Sequence, residues 1–182
     1  MSIIALSGYA KCGKDTVAQI MTEIYNDFKI KKFSGKLKLI AGILTGIEPY
    51  QFDNQSIKEM KLEGWGMTVR ELLQKIGTDA IRDGLHSDAW VNALFCDYHQ
   101  GDHWVITDCR FKNEAIAVKE FGGVIVRIER DGVGPVNSHP SEVDLDDWKF
   151  DYVLKNNGTL DELSSNVFIM MLNMFGKFSK TK

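Results

Sequence analysis

In GYAKCGKDTV (residues 8–17), Gly8 and the pair Gly13-Lys14 are separated by four residues, the spacing of a phosphate-binding loop. The chemistry such a loop performs is specific. Its glycines let successive backbone N–H groups, with Gly8, Ala10, Lys11, Cys12 and Gly13 as the candidates, turn inward around phosphate oxygens, and a following helix adds its positive N-terminal dipole. Lys14 would reach the β- and γ-phosphates and offset charge as a phosphoryl group moves. The alternative is a glycine-rich strand-to-helix turn that holds no ligand. Where the pattern ends in Ser or Thr, this chain has Asp15, followed by Thr16. A carboxylate suits the first helical turn but repels phosphate unless a metal lies between them. Two readings stay open. Either Thr16 supplies a hydroxyl near Mg²⁺ while Asp15 holds metal-bound water or the acceptor, or Asp15 is only a helix-end charge.

A second set of residues could serve an acceptor. Arg70, Gln74, Thr78 and Arg82 recur every four residues, a row that drifts slowly around an α-helix and stays on one broad face. Arg suits bidentate phosphate binding and Gln suits reading a base edge. A solvated face laced with ion pairs is the plainer alternative. Asp108 ends the apolar strand-like run HWVITD, where a second magnesium-directing carboxylate is expected, and Arg110 follows it. Arg127 and Arg130 flank a loop rich in Pro, Gly and acids, and arginines there could close over phosphates and exclude water. His139 and Glu142 have no assigned role, since phosphoryl transfer needs little proton chemistry and a lone His is usually structural. Trp65 and Trp90 are candidates either for stacking on a base or for the core.

These residues need elements to position them. Residues 3–7 read as a buried strand, and apolar positions Val17, Ile20, Met21, Ile24, Tyr25 and Phe28 predict one helix over 14–28. A helix over 36–45 and a polar, loop-like stretch to 66 follow. Thr68 and Glu71 form a capping box ahead of the stripe Val69, Leu72, Leu73 and Ile76. Ser87 is the expected N-cap of a helix reaching Tyr98. Strands are expected at 103–108, 123–129 and 151–154, helices at 113–121 and after Thr159, and a mobile loop at 130–148. Alternating strands and helices imply a parallel sheet with right-handed crossovers and a ligand site at the strands' carboxyl ends, where Gly8, Asp108, Arg130 and Asn156 fall.

Composition narrows the classes. With 182 residues, 44% hydrophobic and 26% charged, the chain suits one globular domain, and a net charge of −3 disfavours sequence-independent nucleic-acid binding. No apolar run approaches a membrane span, and no basic flank precedes the first apolar segment, so no signal peptide is expected. Cys12, Cys96 and Cys109 lack metal-ligand spacing and are expected as buried or semi-buried thiols of a cytoplasmic protein. The face Leu163, Val167, Met170, Met171 and Met174 of the last helix reads as core, with a homodimer face as the alternative.

The blocks LSGYAKCGKDTVA, VRELLQKIGTDAIRDGLHSDAWV, VITDCRFKNEA, HPSE and NNGTLDEL, in this order over about residues 3–165, resemble the phage-type deoxynucleoside monophosphate kinases. The GKDT ending also looks like that family. The resemblance implies an α/β, three-layer P-loop fold with a parallel sheet, and transfer of the γ-phosphate of ATP to a deoxynucleoside monophosphate with Mg²⁺. It implies that Lys14 and Thr16 serve ATP and metal and that the Arg70–Arg82 face with Trp90 and Arg110 serves the acceptor. It further implies that 130–142 acts as a lid and that Asn156 and Gly158 contact the base. The catalytic set is then Lys14, Asp15, Asp108 and Arg130, with Asp15, Thr16 and Asp108 toward the metal. The helical region 36–100 would bind the acceptor, within one domain 1–182. The rivals are a P-loop kinase for dephospho-coenzyme A or phosphomevalonate, a nucleotide-binding switch ATPase, and a kinase of nucleic-acid 5′ ends.

Overall fold

The computed structural model describes residues 2–136 and 138–178. Five strands form an all-parallel sheet: β1 (Ser2–Ser7), β2 (Phe28–Lys31), β5 (His103–Ile106), β6 (Val124–Glu129) and β7 (Tyr152–Lys155), in the order β2-β5-β1-β6-β7. The chain runs outward from β1 to the β2 edge, returns to β5, then crosses β1 to reach β6 and β7. In such sheets ligands bind at the carboxyl ends of the strands where the strand order reverses, here beside β1.

Alternate residues of each strand face opposite layers. On one side Ile4, Leu6, Val105, Val126, Ile128 and Leu154 form a core with helix α1 (Lys14–Ile24) and helix α8 (Leu160–Phe178). On the other side helix α6 (Lys112–Glu120) buries Ala115, Ala117 and Val118 beside β1 and β6. The architecture is therefore the expected three-layer α/β one. Leu163, Val167, Met170, Met171 and Met174 all lie in this core, which makes the Met-rich face a core face.

The chain divides into two compact units, residues 1–32 with 99–182, and residues 33–98. The second unit holds helix α2 (Gly35–Thr45), a 3₁₀ turn at Pro49–Asp53, helix α3 (Gln55–Glu59), the two-residue antiparallel strands β3 (Lys61–Leu62) and β4 (Met67–Thr68), helix α4 (Val69–Gln74) running into a π-helix at Lys75–Asp83, and helix α5 (Ala89–Phe95). Its core gathers Ala41, Phe52 and Val69, with Leu62, Leu73 and Ile76 against them. The stretch expected as a polar loop thus carries short elements around the fully buried Phe52.

Several expectations need correction. Helix α1 stops at Ile24, and Phe28 opens strand β2. Asn26 and Asp27 make the turn, and Phe28 kept helical spacing only because both elements feed one core. The N-cap of α5 is Asp88, not Ser87, and the helix ends at Phe95. Segment 140–148 contains the one-turn helix α7 (Pro140–Val143) and the buried Leu145. Cys12 and Cys109 are buried but Cys96 is exposed. Of the expected lid, Asn137 lies outside the described residues, as do Met1 and residues 179–182 of the expected domain.

Candidate active site

The loop after β1 takes an unusual backbone path. Gly8 and Gly13 have φ of +145° and +105°, and Lys11 adopts φ +67° without being glycine. A Cβ on Gly13 would overlap Asn156 Nδ2, and one on Gly8 would come 2.5 Å from the Ile128 carbonyl oxygen. Only glycine meets both the angle and the space at these two positions. Gly13 is also the N-cap of α1 and offers no side-chain cap, so the first-turn N–H groups stay available to an anion. Sequence and fold together build a phosphate cradle at the carboxyl end of the central strand.

Lys14 is half-buried beside this loop. Its Nζ donates to the carbonyl oxygens of Gly8 (2.8 Å) and Tyr9 (2.9 Å) and lies 3.8 Å from Cys12 Sγ. Burial pushes the Lys14 ammonium below its ordinary value, and the Arg110 guanidinium adds to that, while Cys12, Asp15 and Glu142 pull the other way. One guanidinium, one thiol and two carboxylates therefore act on the Lys14 ammonium. Arg110 itself donates from Nη1 to Glu142 Oε1 (2.7 Å) and to the Ser141 carbonyl (3.1 Å). The Glu142 side chain is only 9% exposed, while Arg110 is 36% exposed, so water reaches this pair from the arginine's side.

Asp15 sits in the first turn of α1, largely exposed, with Lys32 Nζ 3.3 Å from its Oδ1. Thr16 is half-buried on the next step, and Asp108 is half-buried two residues past the end of β5. Among the described residues no group of three or more His, Cys, Asp or Glu is placed to hold a metal. Arg130 is exposed just past β6.

Other expected residues turn out to brace the site. Arg127 is buried, stacked 4.5 Å from the Tyr9 ring centroid and 5.4 Å from that of Phe150, and donates to Asp146 at 3.2 Å. It cannot swing over phosphates as a loop arginine would. Tyr9 from the phosphate loop donates to the same Asp146 (2.8 Å). His139 caps α7, its Nδ1 accepting from the Ser141 N–H, and Glu142 holds Arg110, which gives both residues of the HPSE block a structural place. Asn156 points its amide at the loop and donates to the Cys12 carbonyl at 2.9 Å. Gly158 is exposed just ahead of the Thr159–Glu162 capping box.

On the second unit, Arg70, Gln74, Thr78 and Arg82 are all half-buried. Arg70 donates to Glu59 Oε1 (2.7 Å) and Arg82 to the Ser87 carbonyl (3.1 Å). The row crosses from α- to π-helix after Gln74, and i→i+5 bonding widens the turn, so the even α-helical drift holds only up to that point. Trp90 is buried, 6% exposed, and its indole N–H donates to the Gly77 carbonyl (2.8 Å), which leaves little ring face for a base. Trp65 is exposed in the β3–β4 turn. Lys32, Asp146 and the orphan hydroxyl of Thr107, which is buried with no partner among the described residues, had no motif to announce them.

A doubly wound parallel sheet with a glycine-built phosphate cradle and a loop lysine defines a P-loop fold. The same fold appears in a solved dephospho-CoA kinase from Campylobacter jejuni, with a TM-score of 0.54 over 96% of this chain and 98% of that one at 12% identity. The deoxynucleotide monophosphate kinase family model matches residues 44–167. A protein of Acanthamoeba polyphaga mimivirus, named provisionally as a deoxynucleotide monophosphate kinase, is 35% identical over 183 residues, 92% of this chain and 94% of the relative. The deoxynucleotide monophosphate kinase of Escherichia phage RB69 is 27% identical over 126 residues, 66% of this chain and 50% of the phage protein. The chain belongs to the deoxynucleotide monophosphate kinase family, and it spans about half the length of that phage relative.

Proposed function

We propose that the protein transfers the γ-phosphoryl group of ATP to a deoxynucleoside monophosphate, releasing ADP and a deoxynucleoside diphosphate. The observation that carries this reading is the cradle: an uncapped helix start behind Gly13, two glycines where a Cβ does not fit, and Lys14 drawn onto the loop carbonyls. Family membership supplies the acceptor class.

In the proposed reaction an oxygen of the acceptor's phosphate attacks the γ-phosphorus in line. The bond from that phosphorus to the bridging oxygen breaks, and ADP leaves with the electron pair. Little covalent chemistry falls to the protein, so catalysis rests on positioning and charge neutralisation. Lys14 would exchange its loop carbonyls for phosphate oxygens, and Arg110 and Arg130 would meet charge that develops on the moving group. The segment beginning at Arg130 would close over the phosphates and exclude water. Gly8, Ala10, Lys11, Cys12 and Gly13 would supply backbone donors. Arg70, Gln74, Thr78 and Arg82 would serve the acceptor, a reading supported by their shared half-burial and by the π-helix, a form that recurs at functional sites.

Magnesium takes one or two protein oxygens and otherwise phosphate and water, so one hydroxyl and two carboxylates suit it. Thr16, Asp15 and Asp108 would hold it, and bound there it would neutralise charge between the phosphates. No helix among the described residues is long and apolar enough to cross a membrane. We place the reaction in the cytoplasm, where free thiols such as Cys12 and Cys96 stay reduced.

The test is an acceptor panel with ATP and Mg²⁺, read by ADP release: each deoxynucleoside monophosphate, its ribose counterpart, dephospho-coenzyme A and a 5′-hydroxyl oligonucleotide. The deoxynucleotides should raise release far above the acceptor-free rate. Release supported only by dephospho-coenzyme A or the oligonucleotide would overturn the acceptor assignment.

A further inference from the structure

Asn156 is held by its backbone before its side chain does anything. Its N–H donates to the Glu129 carbonyl at 2.8 Å, extending the β6–β7 ladder past Lys155. From that fixed point its Nδ2 donates to the Cys12 carbonyl, 2.9 Å away and 144 residues distant in sequence. The same nitrogen fills the space that a Cβ on Gly13 would take. Next to it, Asn157 Oδ1 accepts from the Asp131 N–H at 2.8 Å, so the exit of β7 ties down the loop after β6 as well.

The Cys12 carbonyl and the Gly13 N–H belong to one peptide plane. A trans peptide points its C=O and the next N–H in opposite directions. Holding the Cys12 oxygen toward Asn156 therefore turns the Gly13 N–H to the other side, away from Asn156. Gly13 is the residue at which α1 begins, with φ +105° and no side-chain cap. Its N–H is one of the donors a phosphate would use there.

We infer that Asn156 is a positioning residue of the phosphate cradle, acting through the Cys12 carbonyl to aim the Gly13 N–H, and that it does not read the donor's base. The inference rests on the donor-site reading of the loop given above. It makes a distinctive claim: losing the Asn156 amide should weaken anything that carries the polyphosphate, with or without a base.

Titration calorimetry with Mg²⁺ and inorganic tripolyphosphate, ATP and GTP tests this on the wild type, Asn156→Ala and Asn156→Asp, with a thermal melt of each as the folding control. In Asn156→Ala all three ligands should weaken by one common factor, about tenfold for a lost hydrogen bond to a part-buried carbonyl. The ATP-to-GTP ratio should stay at its wild-type value. Asn156→Asp, which cannot donate to the carbonyl and brings a negative charge, should weaken all three at least as much. Weakened ATP with unchanged tripolyphosphate and an altered purine ratio would make Asn156 a base reader and overturn the inference. A lowered melting temperature with unchanged affinities would make it merely structural and overturn the inference equally. A wild type that binds neither tripolyphosphate nor nucleotide would instead remove the donor-site reading itself, and this inference with it.

Discussion

The phosphate loop and the helical stretch from Thr68 to Asp83 carry the two halves of the proposed reaction, and they are specified in different ways. The loop is fixed by demands on its backbone. Gly8 and Gly13 sit at positive φ against the Ile128 carbonyl and the Asn156 amide, and almost no other residue fits. The helical stretch begins just as firmly, with both bonds of the Thr68–Glu71 capping box formed. Past Gln74 it changes to π-helix at Lys75, with no residue there that demands the change. Backbone constraints leave a mark on the residue types at the site. Adjustments made through packing leave theirs elsewhere, on the partners.

The largest effect is expected at Lys14. If the loop is a chemical device rather than a structural one, Lys14→Ala should lower kcat/KM on the order of 10³-fold, the scale of removing a preorganised charge donor. Its two hydrogen bonds go to part-buried loop carbonyls, so the melting temperature should fall only modestly, by the loss of those bonds. Steady-state ADP release and a thermal melt on the same sample decide it. Near-normal turnover would strip the loop of its proposed role.

What can be read from residues alone follows the same division. The cradle, the Met-lined inner face of α8 and two capping boxes are legible because each depends on spacing along one segment, and the sheet's parallel character because strands and helices alternate along the chain. Strand β2 is not, because Phe28 keeps the spacing of α1 while belonging to the next element of the same core. Nor are the positions of partners distant in sequence. Nothing in the sequence near Arg127 shows that Tyr9, Asp146 and Phe150 will enclose it, and nothing near Asp15 announces Lys32. Asn156 shows both sides of the division. Its place at a strand's carboxyl end is legible, but its amide turns to the Cys12 carbonyl, which only the parallel sheet brings within reach.

Trp90 offers a sharper probe of the second unit. Its indole N–H is the donor to the Gly77 carbonyl, within the π-helix, and the ring is buried. Trp90→Phe keeps an aromatic ring but leaves that carbonyl without its indole donor, at a cost of about 2 kcal/mol. The melting temperature should fall, and the acceptor KM should rise while the ATP KM stays put, since Gly77 lies between Gln74 and Thr78. An equal rise in both KM values would show that the π-helix matters to the whole fold rather than to the acceptor row.

The smallest effect belongs to the part of the helix that sequence alone announced. The Thr68 N–H, then the Thr68 hydroxyl, hold the Glu71 carboxyl below its ordinary value of 4.5, with Lys75 and Lys61 adding to the pull. A carboxylate that is more acidic in the folded protein contributes stability at pH values above its unfolded range. That contribution is lost as pH falls through the lower, folded value. Glu71→Gln removes the titration but keeps an oxygen able to accept from the Thr68 N–H. The variant should therefore melt slightly below the wild type at neutral pH, and the gap should close in acid well under 4.5. Paired melts across that range measure it, and a gap that did not change with pH would place the difference in packing rather than in the charge of the cap. Because Glu71 lies on the exposed side of the stripe formed by Val69 and Leu72, neither ATP nor acceptor KM should respond. That silence would separate the helix's start, which its own residues specify, from the π-helix beyond it, where the Trp90 contact should be felt.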